Sequence, residues 1–212
     1  MKSTNLVILA IIVVSFAIGI SLYPQLPDTI PSHWDASGNV NGYMTKFWGV
    51  FLMPIMSIIL YGIFLLIPII DPRKENIQKF RTYFDNFILV IMLFFFYVYI
   101  LTLLWALNYR FNMIIALIPA MSLLFYYAGI LIQKAKRNWF IGIRTPWTLE
   151  SETVWDKTHE VTAKLFKASA IIGLIGLFFQ NLAICFVVIP VMVSAIFGVV
   201  YSYILYKKEK TP

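Results

Sequence analysis

The distribution of charge along this chain leaves few folds open to it. Six stretches, Leu6 to Tyr23, Trp48 to Ile70, Phe84 to Leu107, Met113 to Gln133, Leu165 to Phe179 and Leu182 to Tyr206, are almost free of ionisable residues, which gather between them. A bilayer core about 30 Å thick takes about 20 mainly apolar residues per helix. Composition agrees: 60% of the residues are apolar and 13% charged, with mean hydropathy +0.81, against about 45–50% and about 25% in soluble domains. The expectation is an all-α integral membrane protein with six transmembrane helices forming one membrane domain over residues 1–212. The fifth stretch is short and carries Lys167, which can snorkel to the interface, so its helix is expected to continue from the polar segment before it.

The basic residues orient these helices. With the N-terminus inside, Lys46 and Arg110 alone among the 17 Lys and Arg residues fall outside, as the positive-inside rule requires. Both termini are then cytoplasmic. The net charge of +7 follows from juxtamembrane lysines drawn to anionic membrane lipid. No basic run with interleaved aromatics points to direct nucleic-acid binding.

Lys2 followed by an apolar run also fits a signal peptide cut near Ala17-Ile18-Gly19. The absence of charge until Asp28 favours a span. Cys185, the single cysteine, reads as a small buried apolar residue inside the last span.

Pro-x-Met recurs in the second, fourth and sixth spans, at Pro54-Ile55-Met56, Pro119-Ala120-Met121 and Pro190-Val191-Met192. Each proline frees the carbonyl four residues back, at Val50, Ile115 and Phe186, and bends its helix. The pattern is consistent with three related helical hairpins or with coincidence in a Met- and Ile-rich chain. Polar side chains in the spans are few, and Asp85 and Arg110 sit at span ends, so no titratable group is available at membrane depth for ion coupling. Ser169 and Gly173, four apart, permit close helix approach.

Residues 24–47 are expected to form an ordered extracellular loop. Pro24, Pro27 and Pro31 exclude a helix and favour extended chain, and Gly38, Asn39, Asn41 and Gly42 supply turn residues. Asp35-x-Ser37-x-Asn39 opens like a calcium loop, but position twelve is Lys46 instead of glutamate. His33 reads either as a contact to an external ligand or as a residue bonded within its own loop, the second being favoured. His159 falls across the membrane from His33, so no metal, cofactor or catalytic histidine pair is expected.

Residues 134–164 are expected to form a cytoplasmic loop and amphipathic helix. Arg137 to Trp147 packs two arginines, two tryptophans and a phenylalanine around the turn formers Gly142 and Pro146. Thr148 is the expected N-cap, with Glu150 and Glu152 in the first turns. Trp155, His159, Thr162 and Phe166 share one helical face, and Glu160 and Lys164 form an i, i+4 pair. The segment reads equally as an interfacial anchor and as a docking surface for a partner.

Arg137-Asn138-Trp139-Phe140-x-Gly142-Ile143-Arg144-Thr145-Pro146-Trp147-Thr148-Leu149, followed by Trp155-x-x-Thr158-His159, resembles the signature of the SdpI immunity family. Leu26-Pro27-x-x-Ile30-Pro31-x-His33-Trp34-x-x-x-Gly38 with Lys46-x-Trp48-Gly49 is similar to that family's N-terminal domain, of unknown function. With Asp71-Pro72-Arg73-Lys74-Glu75-Asn76 between them, the resemblance covers nearly the whole chain in order.

The resemblance implies a multi-pass cell-membrane protein that confers immunity to a secreted peptide toxin. It also implies a receptor that holds a winged-helix transcriptional repressor at the membrane when toxin is present. By that likeness His33, Trp34, Asp35 and Gly38 face the toxin. Arg137, Asn138, Gly142, Arg144, Thr145, Pro146, Trp147, Trp155 and His159 face the cytoplasmic partner. The alternative is a small transporter or channel for a lipid-like or neutral solute, with the bent even-numbered helices around its path. An enzyme is disfavoured, because no acid, base, nucleophile or metal set converges on one side.

Overall fold

The computed structural model describes residues 3–179 and 182–211. Lys2, used above in orienting the chain, lies outside them. Six helices are long and apolar enough to cross a membrane: α1 (Ser3–Leu22), α2 (Lys46–Ile70), α4 (Arg81–Ala106), α5 (Met113–Lys134), α7 (Glu152–Ile175) and α8 (Ala183–Lys210). Two short helices, α3 (Lys74–Lys79) and α6 (Pro146–Glu150), lie between spans. The continuous α7 bears out the expectation that the fifth span begins in the polar segment.

One element departs from an all-α fold. Thr29–Trp34 (β1) and Val40–Thr45 (β2) pair as an antiparallel hairpin between α1 and α2. The turn residues Gly38 and Asn39 let the chain reverse, and the extended conformation favoured by Pro31 lets β1 pair. Its register shifts at His33, where the ladder bulges. We call this the hairpin end of the bundle and the opposite end the island end.

Close packing groups the helices by threes: α1, α2 and α4 touch one another, as do α5, α7 and α8, and α4 meets α5 between the groups. The Pro-x-Met repeat remains a pattern of sequence. The second group interlocks through small residues, as lipid-embedded helices must when no hydrophobic effect drives them together. A Cβ on Gly173 would stand 2.7 Å from Ser122 Oγ and 2.9 Å from Val187. Ser169 and Ser194 hydroxyls lie 2.9 Å apart across α7 and α8. The expected close approach at Ser169 and Gly173 is therefore made.

Pro54, Pro119 and Pro190 all lie inside their helices. Ser57 Oγ donates to Met53 O and Ser194 Oγ to Pro190 O, local bonds that satisfy hydroxyls where no water reaches.

Candidate functional site

The two polar segments sit at opposite ends, and each ties one helix group to the other. At the hairpin end, Ile30 is fully buried with Leu26, Val50, Tyr99 and Leu103. Gly49 makes room for it, since a Cβ there would lie 2.5 Å from that of Ile30. The turn is organised by Asp35, whose Oδ1 accepts from the N–H of Ser37 and Asn39, each at 2.9 Å. The Asn39 N–H is the largest influence holding the Asp35 carboxyl below its ordinary value, against a smaller opposing effect of burial. His33 Nδ1 hydrogen-bonds Asn41 Oδ1 across the hairpin, as the favoured reading of that histidine requires. Trp34 packs edge-on against Trp105 of α4 at 6.3 Å, and Arg110 lies over the Trp105 ring at 3.7 Å.

The hairpin tip reaches the second helix group through Asn112. Its Oδ1 caps α5 by accepting from Ile115 N at 3.1 Å, while its Nδ2 donates to Ser37 O at 3.0 Å. Gly38 has φ +86° and a Cβ there would collide with the Asn112 amide, so this position needs glycine twice over. Asn112→Ala removes the cap and the tie together and is expected to cost about 1–2 kcal/mol. Thermal unfolding in detergent, with amide exchange at Ser37 to Asn39, measures the cost and locates it.

At the island end, the chain between α5 and α7 is folded around buried polar groups. Asn138 is fully buried. Its Oδ1 accepts from the N–H of Phe140 and Ile141 at 2.8 and 2.7 Å. Its Nδ2 donates to the carbonyls of Lys136 and Ile141 at 2.8 and 2.9 Å. The amide therefore uses both donors and both acceptor positions. Trp155, 0% exposed, donates from Nε1 to Ala135 O at 2.9 Å and stacks on His159 at 4.0 Å. His159 Nε2 accepts the Ile143 N–H at 3.0 Å, which places the ring proton on Nδ1, donating to Trp155 O at 2.8 Å. Gly142, at φ +110°, lies directly on that ring, and a Cβ would overlap Nε2.

Helix starts follow from the same residues. Thr145 caps α6 in a reciprocal box with Thr148, and Ser151 caps α7 by accepting from Val154 N. The expected N-cap Thr148 instead lies at the third position of α6, its hydroxyl donating to Ile143 O at 2.8 Å. Pro146 opens the helix where its missing N–H costs nothing.

Hydrogen bonds on two sides dock the island on the rest of the bundle. Buried Asp71, at the end of α2, accepts Trp139 N at 2.9 Å and Arg73 N at 2.6 Å. Asn76 Nδ2 donates to Arg137 O at 2.7 Å. On the other side the Thr145 and Ser202 hydroxyls meet at 2.9 Å, and Trp147 packs on Tyr203 of α8 at 5.0 Å. Ile141 and Trp155 belong to one apolar core with Ile8, Ile67, Phe84 and Leu131, so the island joins both helix groups.

The candidate residues at this end divide between interior and surface. Asn138, Thr145, Trp155 and His159 are buried and brace the segment, because their polar atoms are consumed internally. Gly142 is their cradle, and Arg137 Nη1 is held by Glu150 O at 2.9 Å. The surface is made by Arg144, whose Nη1 donates to Trp139 O at 2.7 Å, with Pro146 and the edge of Trp147. Trp139 and Phe140 join them, 47% and 37% exposed. Sequence reasoning left those two aromatics out of the candidate set, although an adjacent aromatic pair in a polar segment is itself a surface signal. Asp71, Asn76 and Ser202 had no such signal, since their partners lie about 60 residues away. Among the described residues, no group of three His, Cys, Asp or Glu side chains is placed to hold a metal ion.

Comparison with known proteins falls on these same two regions. A model described as DUF1648, a domain of unknown function, matches residues 10–58, which include the hairpin. A model described as the SdpI/YfhL protein family matches residues 134–202, from the island to Ser202. The chain is 30% identical over 206 residues to the immunity protein SdpI of Bacillus subtilis (strain 168), covering 96% of each chain. No solved structure gives a significant match.

Proposed function

Because the chain belongs to the SdpI family, we propose that it protects the membrane in which it sits against a secreted peptide toxin, through binding and without chemistry of its own. One observation carries the reading: alignment to an immunity protein, at 30% identity, spans 96% of both chains, so hairpin and island fall within it together. The positive-inside rule puts the hairpin outside, where a secreted peptide arrives, and the island in the cytoplasm. His33, Trp34, Asp35 and Gly38 are then the toxin-facing set. Arg144, Pro146, Trp147, Trp139 and Phe140 form the surface available to a winged-helix repressor.

The bracing supplies a route between them. A toxin that binds more tightly when Ser37 has left Asn112 than when it is docked would shift the relation of the two helix groups. Only that difference in affinity can drive the change. The island, joined to both groups, is placed to respond.

Expression in toxin-sensitive cells tests the reading. The intact protein is expected to restore survival, and a His33→Ala, Trp34→Ala double variant to lose it at equal membrane abundance. A Trp139→Ala, Arg144→Ala double variant is expected to keep survival and lose recruitment of the repressor to the membrane. Unaltered killing with the intact protein refutes immunity to that toxin.

A further inference from the structure

A groove of about 330 Å³ opens at the island end between the two helix groups. Phe64 of α2, Phe87 of α4 and Ala128 of α5 wall it, and Phe140 to Ile143 of the island roof it. That volume falls within the range of ligand pockets, about 300–1,000 Å³. Its depth is that of a lipid headgroup and upper chain: Ile67 precedes the end of α2 by three residues and Ile132 that of α5 by two.

Beside the lining residues in sequence, basic side chains (Lys134, Arg144, Lys167) outnumber acidic ones. Exposed Arg144 follows Ile143 directly, and Lys134, two residues past Ile132, lies over the Tyr83 ring at 5.4 Å. Arg73 lies over Trp139 at 5.7 Å, and its Nη1 is buried without a hydrogen-bond partner. Two acids lie in the same region: Asp71 accepts from two backbone N–H groups, and Asp85 pairs with Arg81 at 2.5 Å.

We propose that this groove binds an anionic phospholipid of the cytoplasmic leaflet, one acyl chain lying among Phe64, Phe87 and Ala128 and the phosphate meeting Arg73 and Arg144. An apolar slot alone would take any lipid chain, and the basic residues that flank its lining in sequence are what would select the anionic one. Trp139 and Phe140 then lie at the interface, where aromatics are favoured. The assignment stands whether or not a toxin is bound at the other end.

Native mass spectrometry of the full chain in detergent, with phosphatidylglycerol and phosphatidylcholine of equal chain length supplied together, tests it. Each basic group near an anionic headgroup contributes about 5-fold in affinity. The intact protein is therefore expected to retain phosphatidylglycerol over phosphatidylcholine by about 5- to 25-fold. Arg144→Gln lowers that preference about 5-fold, and Arg73→Gln with Arg144→Gln abolishes it. Ala128→Leu, which fills the slot and leaves the cations, reduces retention of both lipids. Inorganic phosphate in place of lipid is expected to raise the melting temperature of neither protein nor variant, which separates a lipid from a free anion. Equal retention of the two lipids by the intact protein, or an unchanged preference in the double arginine variant, overturns the proposal.

Discussion

Gly142→Val is expected to unfold the island end, at a cost of about 3 kcal/mol or more. Two effects add. The backbone at φ +110° admits a β-branched residue only with strain of about 1–3 kcal/mol. The new side chain also occupies the space of the His159 ring and comes within 3.4 Å of Trp155 at its first carbon, and overpacking of this kind costs about 1–3 kcal/mol. His159 cannot move aside without releasing the Ile143 N–H and the Trp155 carbonyl. Gly62→Ala is the control: no atom lies within 4 Å of its added Cβ and its φ is ordinary, so helix propensity predicts a neutral or slightly stabilised protein. Thermal unfolding of both variants in detergent checks the contrast. Equal melting temperatures would refute the account of the cradle.

Asn138→Ala is expected to cost about 3–5 kcal/mol, the upper range for a single substitution. It strands the buried N–H and carbonyl of Ile141 and loosens the part-buried Phe140 N–H and Lys136 carbonyl, and each buried polar group left unpaired costs about 1–3 kcal/mol. Asn138→Asp sharpens the test. It keeps an acceptor for the two N–H groups but turns the donating nitrogen into an oxygen facing two carbonyls, so it is expected to fail as well. Limited trypsin digestion reads the outcome directly: cleavage at Arg137 and Arg144 should accelerate in both variants. Trp139→Ala, at an exposed side chain, should leave the intact segment resistant. Rapid cleavage of Trp139→Ala would show that the exposed ring, and not the buried amide, holds the segment together.

The difference between these residues explains what was legible in the sequence. Trp139 and Arg144 lie in the same polar stretch as Asn138, with His159 on the helix that follows, yet the first two are surface and the other two interior. Periodicity placed Trp155, His159, Thr162 and Phe166 on one helical face, and Trp155, His159 and Thr162 are buried together. Periodicity cannot say whether the neighbour of such a face is lipid, water or its own loop. The N-cap shows the same limit at shorter range: Thr145 and Thr148 are both capping residues by type, and in the folded chain Thr145 caps while Thr148 closes the box from the third helical position.

By itself the sequence determined six stretches long and apolar enough to cross a membrane, where the polar segments interrupt them, and which family the chain belongs to. Those properties depend on the length of apolar runs and on residue order, which are local. The tertiary structure alone decided that the two polar segments are braces joining two groups of three helices. Ser37 meets Asn112, Asp71 meets Trp139 and Thr145 meets Ser202 across 57 to 75 residues of chain. The physical reason is that a buried amide, carboxylate or hydroxyl must find a partner somewhere in the folded chain, and only the packing of the helices decides which one comes within reach.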